Sequence, residues 1–398
     1  MTKLQWIAGL SLAFAGCATD GDMGAMGAAG AAGAAGSDGS AGPAGPVGPA
    51  GPELALPGVY TLSNATAGNQ VSAYLRASNG NLSRKGSFAT TGTGLGAGLG
   101  SQGALVFDAA LQRFFAVNAG NNTISMLAID ADGELAPLAT VGSAGTRPVS
   151  ITVHGDLVYV VNQGDPAATP TGANISGFQV KGNALTPVAG SVQPLSATSD
   201  VHPTDIAFTP DGAFVVVAER TTSKLDTFKI VNGVAQPGNF QSSAGMQPFA
   251  FDFSPEGMLV VAEVGTGAAG GSTVSSYAVS EAGVLTAITP ALATSQSAAC
   301  WLVMAGGFAY IANAASANIT GVAVSPTGAL TLHDASGITA TTGTGANDLA
   351  VSPDHGYLYS LAGGPHTINI FAINADGSLT KLPALENIPA LATGLVAR

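Results

Sequence analysis

The chain has 398 residues, of which only 9% are charged, and its 12 Lys and Arg against 24 Asp and Glu give a formal net charge of −12. Ordinary soluble proteins carry about a quarter charged residues, and cations this few and scattered form no basic stripe to displace counterions from a phosphate backbone, which excludes nucleic acid as a partner. With 55 Gly and 22 Pro the composition suits short strands joined by turns rather than a helical bundle, and despite a mean hydropathy of +0.36 no run after residue 16 reaches the roughly 20 apolar residues that cross a bilayer.

In chain order, a positive charge at Lys3 precedes an apolar stretch from Leu4 to Ala15, about the length of a signal-peptide core. It ends in Phe14-Ala15-Gly16-Cys17, which resembles the bacterial lipobox, where the thiol is lipidated and the chain is cut just before it. Residues 1–16 are therefore expected to be a lipoprotein signal peptide and residues 17–20 a lipidated N-terminus. Cys17 would anchor the exported protein to a membrane at the cell envelope, at the outer membrane on its periplasmic side or at the cell surface. An ordinary secretory signal with an accidental cysteine is the alternative. The other cysteine is Cys300, so acylation of Cys17 leaves no disulfide within the chain.

From Gly21 to Glu53 glycine recurs at every third position, ending in Gly42-Pro43, Gly45-Pro46, Gly48-Pro49 and Gly51-Pro52. Strict Gly-X-Y of this kind lets three polyproline-type chains meet at a crowded axis, and extended at ~3.1 Å per residue it would reach on the order of 100 Å. The segment, residues 21–53, reads as a collagen-like spacer, either monomeric or the stalk of a homotrimer.

The remainder, residues 54–398, is repetitive. Strand-like runs end in a polar or small residue at Asn64, Asn118, Asn162, Glu219, Glu263, Asn313 and Ala362, a mean spacing of about 50 residues. A second marker keeps the same interval: a turn followed two or three residues later by a small apolar residue, as in Gly80 to Leu82, Gly133 to Leu135, Asn183 to Leu185, Gly233 to Ala235, Gly283 to Leu285, Gly328 to Leu330 and Gly377 to Leu379. Each unit reads as four antiparallel strands, and seven such units predict an all-β, seven-bladed β-propeller. Thr393–Ala397 matches the innermost strand of the other units, the one missing before Val59, so the C-terminal strand is expected to complete the first blade.

The stretches Gly98 to Leu105, Phe115 to Asn121, Thr146 to Ser150, Ala298 to Trp301 and Gly394 to Arg398 resemble the bacterial seven-bladed lactonase family, which includes 6-phosphogluconolactonase and carboxymuconate cyclases. The resemblance implies a lactonase-like hydrolase or cyclase acting on a small carboxylated or sugar lactone, with His, Arg and acidic residues on one face of the ring.

Aligning the innermost strands places Ser101, Arg147, His202, Gln247, Ser297, Gly345 and Leu391 in one ring at their starting ends. Ala104, Ser150, Asp205, Ala250, Cys300, Asp348 and Gly394 form a second ring further in. Because the second strand of each blade returns to the same face, His202 is expected beside Glu219, Arg147 beside Asn162, and Gln247 beside Glu263. A lactone hydrolase needs a base to activate water and a donor to polarise the carbonyl. His202 assisted by Glu219 and the planar fork of Arg147 supply those types, with Asp205, Gln247, Glu263, Asp348 and Cys300 as candidate substrate contacts. The same acids equally suit solvated rims or blade-to-blade ties, in a non-catalytic surface propeller that binds a ligand or a protein. No metal or cofactor is expected: Asp130-Ala131-Asp132-Gly133 lacks the later ligands of a calcium loop, and Gly98 to Gly103 has a dinucleotide spacing without a βαβ unit.

Overall fold

The computed structural model describes residues 56–165, 172–197 and 200–398. The expected signal peptide, Cys17 and the Gly-X-Y segment lie outside these described residues. Every regular element among them is a β-strand, and the strands form seven antiparallel sheets of four strands each; in the third, fourth and sixth sheets the outermost strand is broken into two pieces. Consecutive sheets pack through their inner strands, and the last meets the first, which closes a seven-bladed propeller.

Closure is made by Thr393–Ala397, the innermost strand of the first blade, which pairs antiparallel with Gly58–Leu62. Two further bonds between Gly58 and Arg398 (3.1 and 2.9 Å) extend that pairing to the last residue. The inner strands of the other blades are Leu105–Asp108, Pro148–His154, Pro203–Phe208, Pro248–Phe253, Ala299–Ala305 and Ala346–Val351. The second strands are buried almost throughout, as Leu157–Asn162 and Phe214–Glu219 illustrate, because both faces of each blade are covered by neighbours; their continuous Val, Ala and Tyr runs follow from that.

The repeated turn glycines have a structural reason. In five blades the glycine of the hairpin between third and fourth strands presents its carbonyl to a hydroxyl of the preceding blade. Tyr359 donates to Gly80 (3.3 Å), Tyr159 to Gly233 (2.9 Å), Thr227 to Gly283 (2.7 Å), Ser276 to Gly328 (2.5 Å) and Tyr310 to Gly377 (2.9 Å). These glycines have φ between 75° and 86°, a region costly for any residue with a Cβ, and a Cβ on Gly377 would lie 2.3 Å from the Phe308 ring. Blade spacing is thus read by a hydroxyl on one blade and a left-handed turn on the next.

Candidate active site

Five of the seven inner strands are entered through a tight corner. Arg147, His202, Gln247 and Ala298 stand there with φ of 59°, 45°, 56° and 56°, and Gly345 with 66°. Directly after each corner the ladder slips by one residue, between Pro148 and Ser150, Pro203 and Asp205, Pro248 and Ala250, Ala299 and Trp301, and Ala346 and Asp348. Non-glycine residues at positive φ are uncommon and are held by their surroundings. Here the preceding blade supplies the hold: Asn122 accepts the Arg147 amide (2.8 Å) and Ser223 the Gln247 amide (3.0 Å).

The corners define the first ring and correct it in two blades. Ala298, not Ser297, is the corner of the sixth blade, so Trp301 rather than Cys300 takes the slot that Asp205 and Asp348 occupy elsewhere. Cys300 is buried, and burial pushes its thiol up to about 12, so it does not act as a thiolate at neutral pH. In the second blade the left-handed residue is Gly100 rather than Ser101, while Ala104 keeps its expected place, its carbonyl accepting from the Val117 amide (3.0 Å) beside the Leu105–Ala116 pair.

The residue after each strand-end polar residue pairs with the corner: Gln163 donates its amide to the Arg147 carbonyl (2.9 Å) and Arg220 to that of His202 (3.1 Å). Their side chains build a polar arc. Arg147 Nη1 donates to Gln163 Oε1 (3.3 Å), Gln163 Nε2 lies 2.9 Å from His202 Nδ1, His202 Nε2 lies 3.0 Å from Asp200 Oδ1, and Arg220 Nε donates to Gln247 Oε1 (3.2 Å). The chain of partners determines the histidine tautomer. A guanidinium has only donors, so it takes the Gln163 oxygen; the Gln163 amide therefore faces His202, whose Nδ1 must accept; the ring proton then sits on Nε2, aimed at Asp200. Asp200, Gln163 and Arg220 were missed by sequence reasoning, and the last two stood one residue beyond the strand ends it counted.

Glu219 does not assist His202. Its carboxylate is fully buried and accepts from the Ser196 amide (2.7 Å) and from the Ser196 and Thr222 hydroxyls, while the Pro203–Glu219 backbone pairing leaves His202 in the corner outside the ladder. Glu263, also buried, accepts from Gly245 (2.9 Å), Ser243 (2.8 Å) and Ser275 (2.7 Å) rather than meeting Gln247. Asn162 likewise donates to the Ser143 carbonyl (3.2 Å), away from Arg147. All three anchor the linker that arrives from the preceding blade. Beside Glu219 lies the buried carboxyl of Asp226, neither of whose oxygens has a hydrogen-bond donor; burial first, then Glu219, pushes it up to about 10, so Asp226 is protonated at neutral pH.

The channel below the arc is filled. Asp205 accepts from the amides of Ile206 (2.9 Å) and Phe251 (3.1 Å), and Asp348 from those of Leu349 (2.9 Å) and Leu395 (3.1 Å); burial pushes them up to about 7 and about 8. Each thereby ties its blade to the next inner strand, as Asp252 does with Met304 (2.8 Å). Ala250 has no acceptor for the corresponding Leu302 amide, and Gln102 crosses from the second blade to supply it (2.9 Å) while reaching Asp205 (3.4 Å). The Trp301 indole donates to the Ser101 carbonyl (3.0 Å) beside it. Gln102 and Trp301 form a plug, with a cavity of about 260 Å³ on the Trp301 side and another of about 260 Å³ lined by Gln102, Val303 and Asp348. Among the described residues no cluster of three or more His, Cys, Asp or Glu side chains is arranged to hold a metal.

Residues 173–298, which carry most of the polar arc, match the family model described as lactonase, 7-bladed beta-propeller. A candidate 6-phosphogluconolactonase from Bacteroides fragilis superposes with a TM-score of 0.63 at 18% identity, covering 86% of this chain and 98% of that one. The fold is that of the lactonase propellers. A second such candidate, from Bacteroides uniformis, gives 0.63 at 19% identity over 86% and 99% of the two chains. The periplasmic gluconolactonase of Pseudomonas aeruginosa gives 0.63 at 17% identity over 85% and 98%. No curated protein matches this chain in sequence.

Proposed function

We propose that this lactonase-type propeller hydrolyses a small anionic lactone at its corner-ring mouth. The observation that carries the reading is the Asp200–His202–Gln163–Arg147 chain: in a protein with few charges, three ionic groups and one amide are joined in an order that leaves His202 a basic Nδ1 and an oriented Nε2–H. Asp200 orients the ring and offsets the charge it gains. When substrate engages Arg147, the Gln163 amide gives way to water on Nδ1. His202 takes a proton from that water as its oxygen bonds to the lactone carbonyl carbon, with the guanidinium groups of Arg147 and Arg220 facing the developing negative charge. Collapse breaks the bond to the ring oxygen, the proton passes to that oxygen, and the product is a hydroxy acid. Asp205 and Asp348 hold the strands beneath rather than the substrate.

The family match and the lactonase-like neighbours support this reading, and the lipobox-like Cys17 and Gly-X-Y segment support exported, lipid-anchored placement at the cell envelope, with the spacer single or trimeric. The test is proton release by the full-length protein on a panel of carboxylated and sugar lactones, beside His202→Ala and Arg147→Gln. Acid production that vanishes in both variants, with unchanged circular dichroism, supports hydrolysis at the mouth. Release at the spontaneous rate by the native protein sinks it and leaves a ligand-binding surface propeller as the reading.

A further inference from the structure

The cavity on the mouth side of the plug is unlike the arc that faces it. Its walls are Leu99, Trp301, Leu391 and small residues, and Asn347 and Thr393 bring its only polar side chains. Leu391 stands 41% exposed at the entrance, while Trp301 forms the inner wall, edge-on to Phe249 at 5.0 Å. The two halves are joined by one segment. Ser101 accepts the Trp301 indole N–H on one side and donates to the Val149 carbonyl, two residues from Arg147, on the other (2.7 Å). The next residue, Gln102, donates its amide to the Thr204 carbonyl (2.9 Å), two residues from His202. From the other direction, the charge of Arg220 acts on Cys300, the neighbour of Trp301, lowering the thiol pKa against the burial that raises it. One mouth therefore has a cationic side on the third and fourth blades and an apolar side on the sixth, first and second.

We infer that the Trp301 cavity receives the hydrocarbon body of the ligand whose anionic end meets Arg147 and Arg220: a carboxylated lactone bearing an apolar substituent, not a polyhydroxylated sugar lactone or its phosphate ester. This rests on the mouth being the binding site, as proposed above, but not on turnover. A sugar ring carries a hydroxyl on nearly every carbon, and each one desolvated without a partner costs about 1–3 kcal/mol, whereas this cavity presents two polar side chains. At about 260 Å³ it is below the usual range for drug-sized ligands, about 300–1,000 Å³, and suits one ring or a short alkyl chain.

The chain contains two tryptophans, Trp6 and Trp301, so Trp6→Phe makes the emission of the full-length protein a report on this cavity alone. The probes are two non-hydrolysable lactams, a phenyl-substituted γ-lactam carboxylate and gluconolactam. The phenyl lactam is expected to shift or quench Trp301 emission saturably, with half-saturation at least tenfold lower than for gluconolactam. Leu391→Asp, at an exposed position, is expected to weaken the phenyl lactam at least tenfold and to leave the melting temperature unchanged. Equal affinity for both lactams, or phenyl-lactam binding by dialysis that leaves Trp301 emission and the Leu391→Asp affinity untouched, overturns the inference. Tight phenyl-lactam binding without hydrolysis of any lactone upholds the cavity assignment and sinks the hydrolytic reading, so the two are separable.

Discussion

Gln163 is the residue on which the arc turns, because a single amide both accepts from Arg147 and donates to His202. Replacing it by Glu keeps the acceptor for Arg147 and removes the donor to His202, so the tautomer is no longer specified. We expect kcat to fall on the order of tenfold or more while KM stays nearly constant, and the nitrogen-15 chemical shifts of His202 to change from those of the Nε2–H form; steady-state kinetics and NMR check both. A loss of KM alone would assign Gln163 to substrate contact. Asp226 makes a different residue-scale case. Its carboxyl is buried near Glu219 with no donor to either oxygen and stays protonated at neutral pH, so Asp226→Asn replaces that acid with a permanently neutral group of the same shape. The variant is expected to melt higher than the native protein, with a larger gain at pH 9 than at pH 5, measured by calorimetry. An unchanged difference at the two pH values would show that Asp226 is not protonated in the folded state.

At the scale of the strand, what matters is where each channel-facing amide finds its acceptor. Ser150 serves Ile206 (3.2 Å), Asp205 serves Phe251, and Asp348 serves Leu395; Ala250 serves nothing, and Gln102 fills the gap from across the axis. Gln102→Ala leaves the Leu302 amide buried without a partner and removes the donor facing Asp205. The expected cost is about 1–3 kcal/mol, read as a lower urea midpoint at constant slope, with Gln102→Glu recovering the Leu302 bond but placing a second carboxylate against Asp205. A midpoint within error of the native value for Gln102→Ala would show that water replaces the side chain freely. The corner is the other strand-scale device. A left-handed residue followed by a one-residue slip puts Arg147, His202 and Gln247 outside the ladder, where their side chains are free for the mouth, while the strand-end Glu219 and Glu263 are committed to linkers.

For the whole molecule, the buried aspartates dominate the response to pH. Burial raises Asp252 to about 6, Asp205 to about 7 and Asp348 to about 8, and burial with Glu219 raises Asp226 to about 10. Each carboxyl titrates near 3.9 in an unfolded chain, so above that pH the folded state binds more protons than the unfolded state. Stability is then fully present below about pH 4 with respect to these groups and declines as pH rises through each folded value in turn. The melting temperature of the native protein is expected to be higher at pH 5 than at pH 9, and Asp226→Asn together with Asp348→Asn to flatten the slope. A melting temperature that rises across this interval would contradict the protonated state of these acids.

Much of the architecture was legible in the chain because a propeller is written as a repeat. Two independent markers, the strand-end residue and the turn glycine, recur at the same interval, and the structure shows why each recurs: one anchors the incoming linker and the other receives a hydroxyl from the preceding blade. The complementary partial ends, Gly58–Leu62 and Thr393–Ala397, likewise announced how the ring closes. The site was legible only as a list of residue types. Spacing alone identified Arg147, His202 and Gln247 as one ring, but it could not say that Glu219 turns away from His202, that Asp200 and Gln163 take its two nitrogens, or that a one-residue offset exchanges Cys300 for Trp301. Repeat and closure are properties of backbone pairing, which local pattern encodes residue by residue. Which side chain meets which across the mouth depends on corner dihedrals and ladder slips contributed by seven distant segments, and only the assembled ring brings those together.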